Sequence, residues 1–193
     1  MNGTIQKNSP LHLYFLLQLY EVNDEVIFPE RVDRTVFFRA LQHMLSGYME
    51  FYAWALLNSE VMILCSPKAS CQTAPTSFTR EPFNQRLVVC LKDYENYLRR
   101  HYSLSVTLNR EMVHMEDAGS RQLAGVVTTL HTLPLLKGFT SQLDNGIDTS
   151  YPWVLSGYHG NHRGDRVIQW FGTRQDYIQT HQRAVKKYVG TNC

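Results

Sequence analysis

With 193 residues and a mass of 22.4 kDa, the chain is long enough for one compact domain with a substantial core. Hydrophobic residues make up 44% and charged residues 19%, which excludes a disordered or collagen-like chain. The formal charge of +2 excludes a histone-like polycation and an acidic solubility module, but the sum hides an uneven distribution. Residues 1–60 carry four basic and seven acidic side chains (−3), whereas residues 151–193 carry six basic and two acidic ones (+4). Arginines outnumber lysines 13 to 6, a bias that suits bidentate contacts to phosphate or carboxylate.

Taken in chain order, Leu11 to Val22 reads as a buried first strand, rich in Leu, Tyr and Phe. Val32, Val36, Phe37, Ala40, Leu41, Met44 and Leu45 recur at helical spacing with polar residues between them, an amphipathic helix ending near Gly47. Phe51 to Leu57 and Val61 to Cys65 form the next two strands, joined by a tight turn at Asn58-Ser59. Strand, helix and hairpin in that order predict an α+β fold, with a ferredoxin-like split βαβ core and an antiparallel sheet. Residues 66–82 contain Pro67, Pro75 and Pro82 and read as a loop.

A long helix is predicted from Asn84 to about Val106, then a short strand over Leu108 to Met115. A further helix spans Asp117 to Leu130, and Pro134 with Gly138 stops it or the turn after it. Beyond an Asp144-Asn145-Gly146 turn and a Gly-rich patch, two short helices are expected near 165–171 and 173–187. The expectation is a single domain over 1–193, in which 11–115 forms the core and 116–193 a helical C-terminal extension.

Conventional catalytic signatures are missing from the sequence. The eight histidines show no zinc-site spacing, although His159 and His162 stand three apart beside glycines. Neither phosphate-loop glycine pattern occurs, nor does Gly-x-Ser-x-Gly. Cys65, Cys71, Cys90 and Cys193 match no zinc ribbon or redox pair, and Cys65 and Cys90 read as small core residues. No charged-then-apolar leader opens the chain and no apolar run approaches membrane-spanning length, so a reduced cytoplasmic protein without a membrane partner is expected. The candidate chemistry lies on the long helix, where Tyr94, Tyr97 and Tyr102 stand beside Arg99, Arg100 and His101. A tyrosine can attack a phosphodiester when cations hold the phosphate and a metal polarises it.

The order of these elements resembles the small IS200-like tyrosine transposases, especially the branch associated with repetitive extragenic palindromes (REP). Leu13-Tyr14-Phe15 and Ile27-Phe28 stand where that family has a Tyr-His-Val strand and an Ile-Phe before its first helix. Ala55-Leu56-Leu57-Asn58-Ser59-Glu60-Val61-Met62-Ile63-Leu64 stands where the family has Met-Pro-Asn followed by His-hydrophobic-His-Leu-Leu. Asn58 is kept, but the two metal-binding histidine positions fall on Ser59 and Val61. Glu60, one residue out of phase, belongs to the opposite face of a strand.

Leu98-Arg99-Arg100-His101-Tyr102 matches the first half of the family's nucleophile helix. Tyr151-Pro152-Trp153 and Val167-Ile168-Gln169-Trp170-Phe171-Gly172 resemble its C-terminal elements. The resemblance implies Tyr102 as nucleophile, with Arg99, Arg100, Arg110, Lys137, Arg163 and Arg166 as DNA contacts. The partner it implies is single-stranded or hairpin DNA, with a homodimer as a further expectation. Active relatives use Mg²⁺ or Mn²⁺; with Asn58, Ser59, Glu60 and Val61 as a degenerate metal site, no cofactor is expected here. The expected function is therefore DNA binding by a catalytically degenerate transposase-like protein. The alternatives are a residual transposase acting on hairpin-flanked single strands, and a protein-interaction domain without a nucleic-acid role.

Overall fold

The computed structural model describes residues 13–23, 25–74, 77–78, 80–115, 118–140, 142–143, 148–157 and 163–189. Strand β1 (Tyr14–Glu21) leads to helix α1 (Arg31–Leu45), then to the hairpin β2 (Met49–Leu56) and β3 (Glu60–Pro67). A short pair, β4 (Gln72–Ala74) and β5 (Ser77–Phe78), precedes α2 (Arg80–Tyr102) and β6 (Leu108–Met115). Helices α3 (Ser120–Leu136), α4 (Tyr151–Ser156), α5 (Gly164–Phe171) and α6 (Arg174–Val189) follow.

The main sheet is antiparallel with order β2-β3-β1-β6, the strand order of the expected split βαβ core. Alternation along the strands divides the side chains between two apolar layers. Phe15, Leu17 and Leu19 of β1 join Val61, Ile63 and Cys65 of β3 against α1 and α2. Tyr14, Leu16, Met62 and Leu64 face the other way, against α3, α5 and α6. The register Leu19↔Val61 and Leu17↔Ile63 keeps each set on its own face.

Three expectations need correction. The predicted loop over 66–82 contains a 3₁₀ turn at Ala69–Cys71, the β4–β5 pair and the start of α2. Helix α2 begins four residues before Asn84 because Pro82 sits in its first turn, where no intrahelical N–H is needed. It ends at Tyr102 because Ser103 adopts a left-handed φ of 58°, its N–H closing on Arg99 O at 3.1 Å. Pro134 lies inside α3 and does not stop it. The proline removes a single N–H, Lys137 N still bonds Leu133 O at 3.0 Å, and the turn is completed at Gly138 with φ 73°.

Cys65 and Cys90 are buried core residues as expected. Among the described residues no helix is long and apolar enough to cross a membrane.

Candidate nucleic-acid interface

The C-terminal end of β1, the N-terminal ends of β3 and β6, the N-terminus of α1 and the C-terminus of α2 all meet at one end of the sheet. The sequence Glu30-Arg31-Val32-Asp33 explains how α1 starts there. Glu30 N donates to Asp33 Oδ2 at 2.8 Å, the backward half of a capping box. Asp33 is fully buried, and its second oxygen accepts the phenols of Tyr97 (2.7 Å) and Tyr102 (3.1 Å). Tyr94, one turn before Tyr97, donates to Ile27 O at 2.8 Å, and the two rings stack at 5.6 Å. The tyrosine helix is therefore bolted through three hydroxyls to the segment entering α1.

This arrangement sets the protonation of the phenols. The hydrogen bond to Asp33, followed by desolvation, raises the Tyr97 pKa above the usual tyrosine value. Partial burial and then the bond to Asp33 raise that of Tyr102. The Tyr102 phenol is therefore neutral at rest, with Asp33 as its hydrogen-bond acceptor.

Ser59 lies in the β2–β3 turn, its carbonyl accepting Glu21 N at 3.2 Å. The Val61 side chain is fully buried in the layer under α1 and α2. Glu60 is on the other face of the sheet, where Gln18 Nε2 donates to it at 2.7 Å and Lys137 Nζ at 3.1 Å. Asn58 is bonded by Arg34, whose other terminal nitrogen pairs with Asp148 at 3.0 Å. Glu21 is buried, which favours its neutral form. Backbone N–H groups of Glu25, Asn23, Thr107 and Val22 outweigh that and pull its pKa down.

Glu21, Asp33, Glu60 and Asp148 are thus each engaged by cations or N–H and O–H donors. No group of three or more potential metal ligands converges among the described residues. With valine in one histidine position and Glu60 on the wrong face, the residues do not fit a divalent cation beside Tyr102.

The predicted DNA contacts do not form one surface. Arg99 and Arg100 are exposed on the last turn of α2, next to Tyr102. Lys137 reaches the same end of the sheet from the opposite face, through Glu60. Arg110 lies on β6, facing the first half of α2. Arg163 donates its N–H to Phe51 O at 3.0 Å and pairs with Glu50 at 3.4 Å. Arg163 and Arg166 begin α5, at the opposite end and on the opposite face from Tyr102. His159 and His162 lie outside the described residues.

Sequence reasoning missed Asp33, whose signal was a Glu-x-x-Asp pattern just before an apolar periodic run. It also missed a buried polar chain on the far face. Trp54 N donates to Ser150 Oγ at 3.0 Å, and Ser150 Oγ lies 2.6 Å from His131 Nε2. His131 Nδ1 lies 3.0 Å from His181 Nε2, and His181 Nδ1 lies 2.8 Å from Tyr177 O. Because Tyr177 O can only accept, His181 carries its proton on Nδ1 and accepts from His131, which accepts in turn from Ser150. The chain ties β2 to α3 and α6, and Tyr177 Oη also lies 3.1 Å from His131 Nδ1.

No protein-family profile matches the chain, and no curated protein matches its sequence. Among solved structures, a REP-associated tyrosine transposase bound to a REP hairpin superposes with a TM-score of 0.55. The match covers 83% of this chain and 90% of that one, at 10% identity. The likeness is one of fold. A bacterial tRNA(His) guanylyltransferase-like protein in complex with ATP overlaps with a TM-score of 0.39 and 9% identity, over 69% of this chain and 66% of that one. That overlap is too loose to bear on function.

Proposed function

We propose that this protein binds single-stranded or hairpin DNA at the Tyr102 end of the sheet and does not cut it. The reading is carried by buried Val61 and the opposite-facing Glu60, which leave no divalent-cation site beside Tyr102 among the described residues, in a fold similar to that of a hairpin-bound transposase. The tyrosine position is retained, but its hydroxyl is a hydrogen-bond donor to a carboxylate and braces α2 against α1. Arg99 and Arg100 project beside it as exposed guanidiniums suited to phosphate oxygens. Tyr97 and His101, whose rings lie 4.5 Å apart, add flat surface on the same turn for stacking a base.

The test is incubation with end-labelled single-stranded DNA containing a hairpin, with Mg²⁺ and Mn²⁺ supplied, analysed on native and denaturing gels. A salt-sensitive native shift that weakens in the Arg99→Glu/Arg100→Glu variant is expected, with no covalent adduct under denaturing conditions. An adduct formed by the native chain and lost in Tyr102→Phe would overturn the non-cutting assignment. Absence of any shift at low salt would overturn the binding assignment.

A further inference from the structure

The two edges of the main sheet are treated differently. At β2, Leu56 N bonds Asp148 O (2.7 Å), Ser150 N bonds Trp54 O (3.1 Å) and Arg163 N bonds Phe51 O (3.0 Å), so chain after α3 covers that edge. At the other edge, β6 pairs with β1 over eight residues in unbroken register and has no second strand partner among the described residues; only at its start does Leu108 N donate to Glu95 Oε1, at 2.8 Å. It carries no proline or bulge, and Asn109, Arg110, Glu111, Val113 and His114 are exposed. Natural edges are usually shortened, bulged or covered, because an open row of backbone donors and acceptors recruits another strand.

Beside this edge runs a cavity of about 200 Å³ between β6 and the first half of α2. Leu17, Phe83, Leu87 and Met112 form its floor, and Arg80, Asn84 and Arg110 its polar rim. No carboxylate lines it; Glu111 belongs to the opposite face of β6, and Glu81 accepts from Gln85 at 3.1 Å. Arg110 makes no hydrogen bond or ion pair among the described residues, and Arg80 rests over the Phe15 ring at 5.3 Å.

An open strand edge beside a helix-walled groove with two guanidiniums has the geometry of strand addition by an extended peptide. We propose that the β6 edge docks an extended acidic segment of another protein, which adds as a fifth strand and seats its carboxylates on Arg80 and Arg110. Nucleic acid would satisfy the arginines and leave the strand edge unused. A second copy of this chain would bring an identical cationic groove alongside, setting like charges together. The assignment is independent of the DNA reading, which rests on Arg99 and Arg100.

The probe is a fluorescein-labelled, end-blocked hexapeptide of alternating Glu and Val, titrated against the full chain by anisotropy, with hydrogen exchange followed at β6. Binding is expected to slow β6 amide exchange. Arg110→Glu or Arg80→Glu, on separate elements and each checked for native circular dichroism, should weaken it by about tenfold or more. Prolines at alternate positions of the peptide should abolish binding, and Arg99→Glu/Arg100→Glu should leave it unchanged. No binding, equal binding of the proline peptide, or indifference to both groove variants would overturn the proposal. So would β6 protection produced by single-stranded DNA or by self-association and not by the peptide.

Discussion

Lowering the pH from 7.5 to 4.5 should destabilise this protein through the two histidines buried between α3 and α6. Burial lowers the pKa of His181 from 6.5 to about 4, a trend only partly offset by its bond to Tyr177 O, and holds His131 well below its usual value. Among the described residues the groups facing the pair are Ser150, Tyr151, Phe171 and Tyr177, none of them a carboxylate that would welcome an imidazolium. Both rings are neutral in the folded state, and protonation of His181 on Nε2 would set two N–H donors face to face.

Between pH 6.5 and 4 the unfolded chain therefore binds more protons, so stability is fully present above pH 6.5 and falls as the pH drops. At 1.36 kcal/mol per pKa unit, His181 alone accounts for roughly 3 kcal/mol, most of it lost by pH 4.5. Urea unfolding followed by tryptophan fluorescence at half-unit pH steps measures the slope. In His181→Gln, which keeps a donor and an acceptor but does not titrate, the slope between pH 6.5 and 4.5 should shrink by that amount. A native stability curve that is flat over this window, or an equal slope in the variant, would refute the assignment of neutral, mutually bonded rings.

Two further predictions concern the Tyr102 end. Asp33→Ala removes the acceptor for Glu30 N and two phenols, and should cost about 2 kcal/mol in urea unfolding. It should also lower the alkaline absorbance titration of Tyr97 and Tyr102; an unchanged phenol titration would show that Asp33 does not govern them. Introducing two histidines as Ser59→His/Val61→His should not create metal-dependent nicking, since position 61 is buried in apolar side chains. The imidazole there should instead cost on the order of 2 kcal/mol or more, and Mn²⁺-dependent cleavage by this variant would contradict the placement of Val61.

The sheet and its two large helices were legible because each has a clean period. Leu17, Leu19, Val61 and Ile63 alternate on strands, and Val36, Phe37, Leu41 and Leu45 recur on one face of α1. The errors came where one residue type has two meanings. Pro82 and Pro134 were read as breakers, but Pro82 sits in the first turn of α2, where no N–H is needed, and Pro134 gives up one bond two residues before α3 ends. Tyr151-Pro152-Trp153, outside the expected helices, forms the start of α4, with proline at the second position.

At the candidate site, the absence of histidine at 59 and 61 was visible as sequence, and so was the crowding of Tyr94, Tyr97 and Tyr102 on one helix. That all three hydroxyls point at the entry to α1 was not, because Asp33 and Tyr102 are 69 residues apart and meet only through the sheet. The same holds for His131 and His181, which carry no spacing signal and are joined by packing. Summed regional charge also misled, since the basic final stretch includes Arg163 and Arg166 on the face away from Tyr102.

Nucleic acid held at the Tyr102 end through Arg99 and Arg100 would be bound largely by its phosphates. Salt-titrated anisotropy of a labelled hairpin-flanked single strand tests it most directly. The native chain should show affinity falling linearly with log salt, and Arg99→Glu/Arg100→Glu should reduce the slope by about 1.4, the counterions of two phosphates. An affinity independent of salt, or a slope identical in the native and doubly substituted chains, would contradict it.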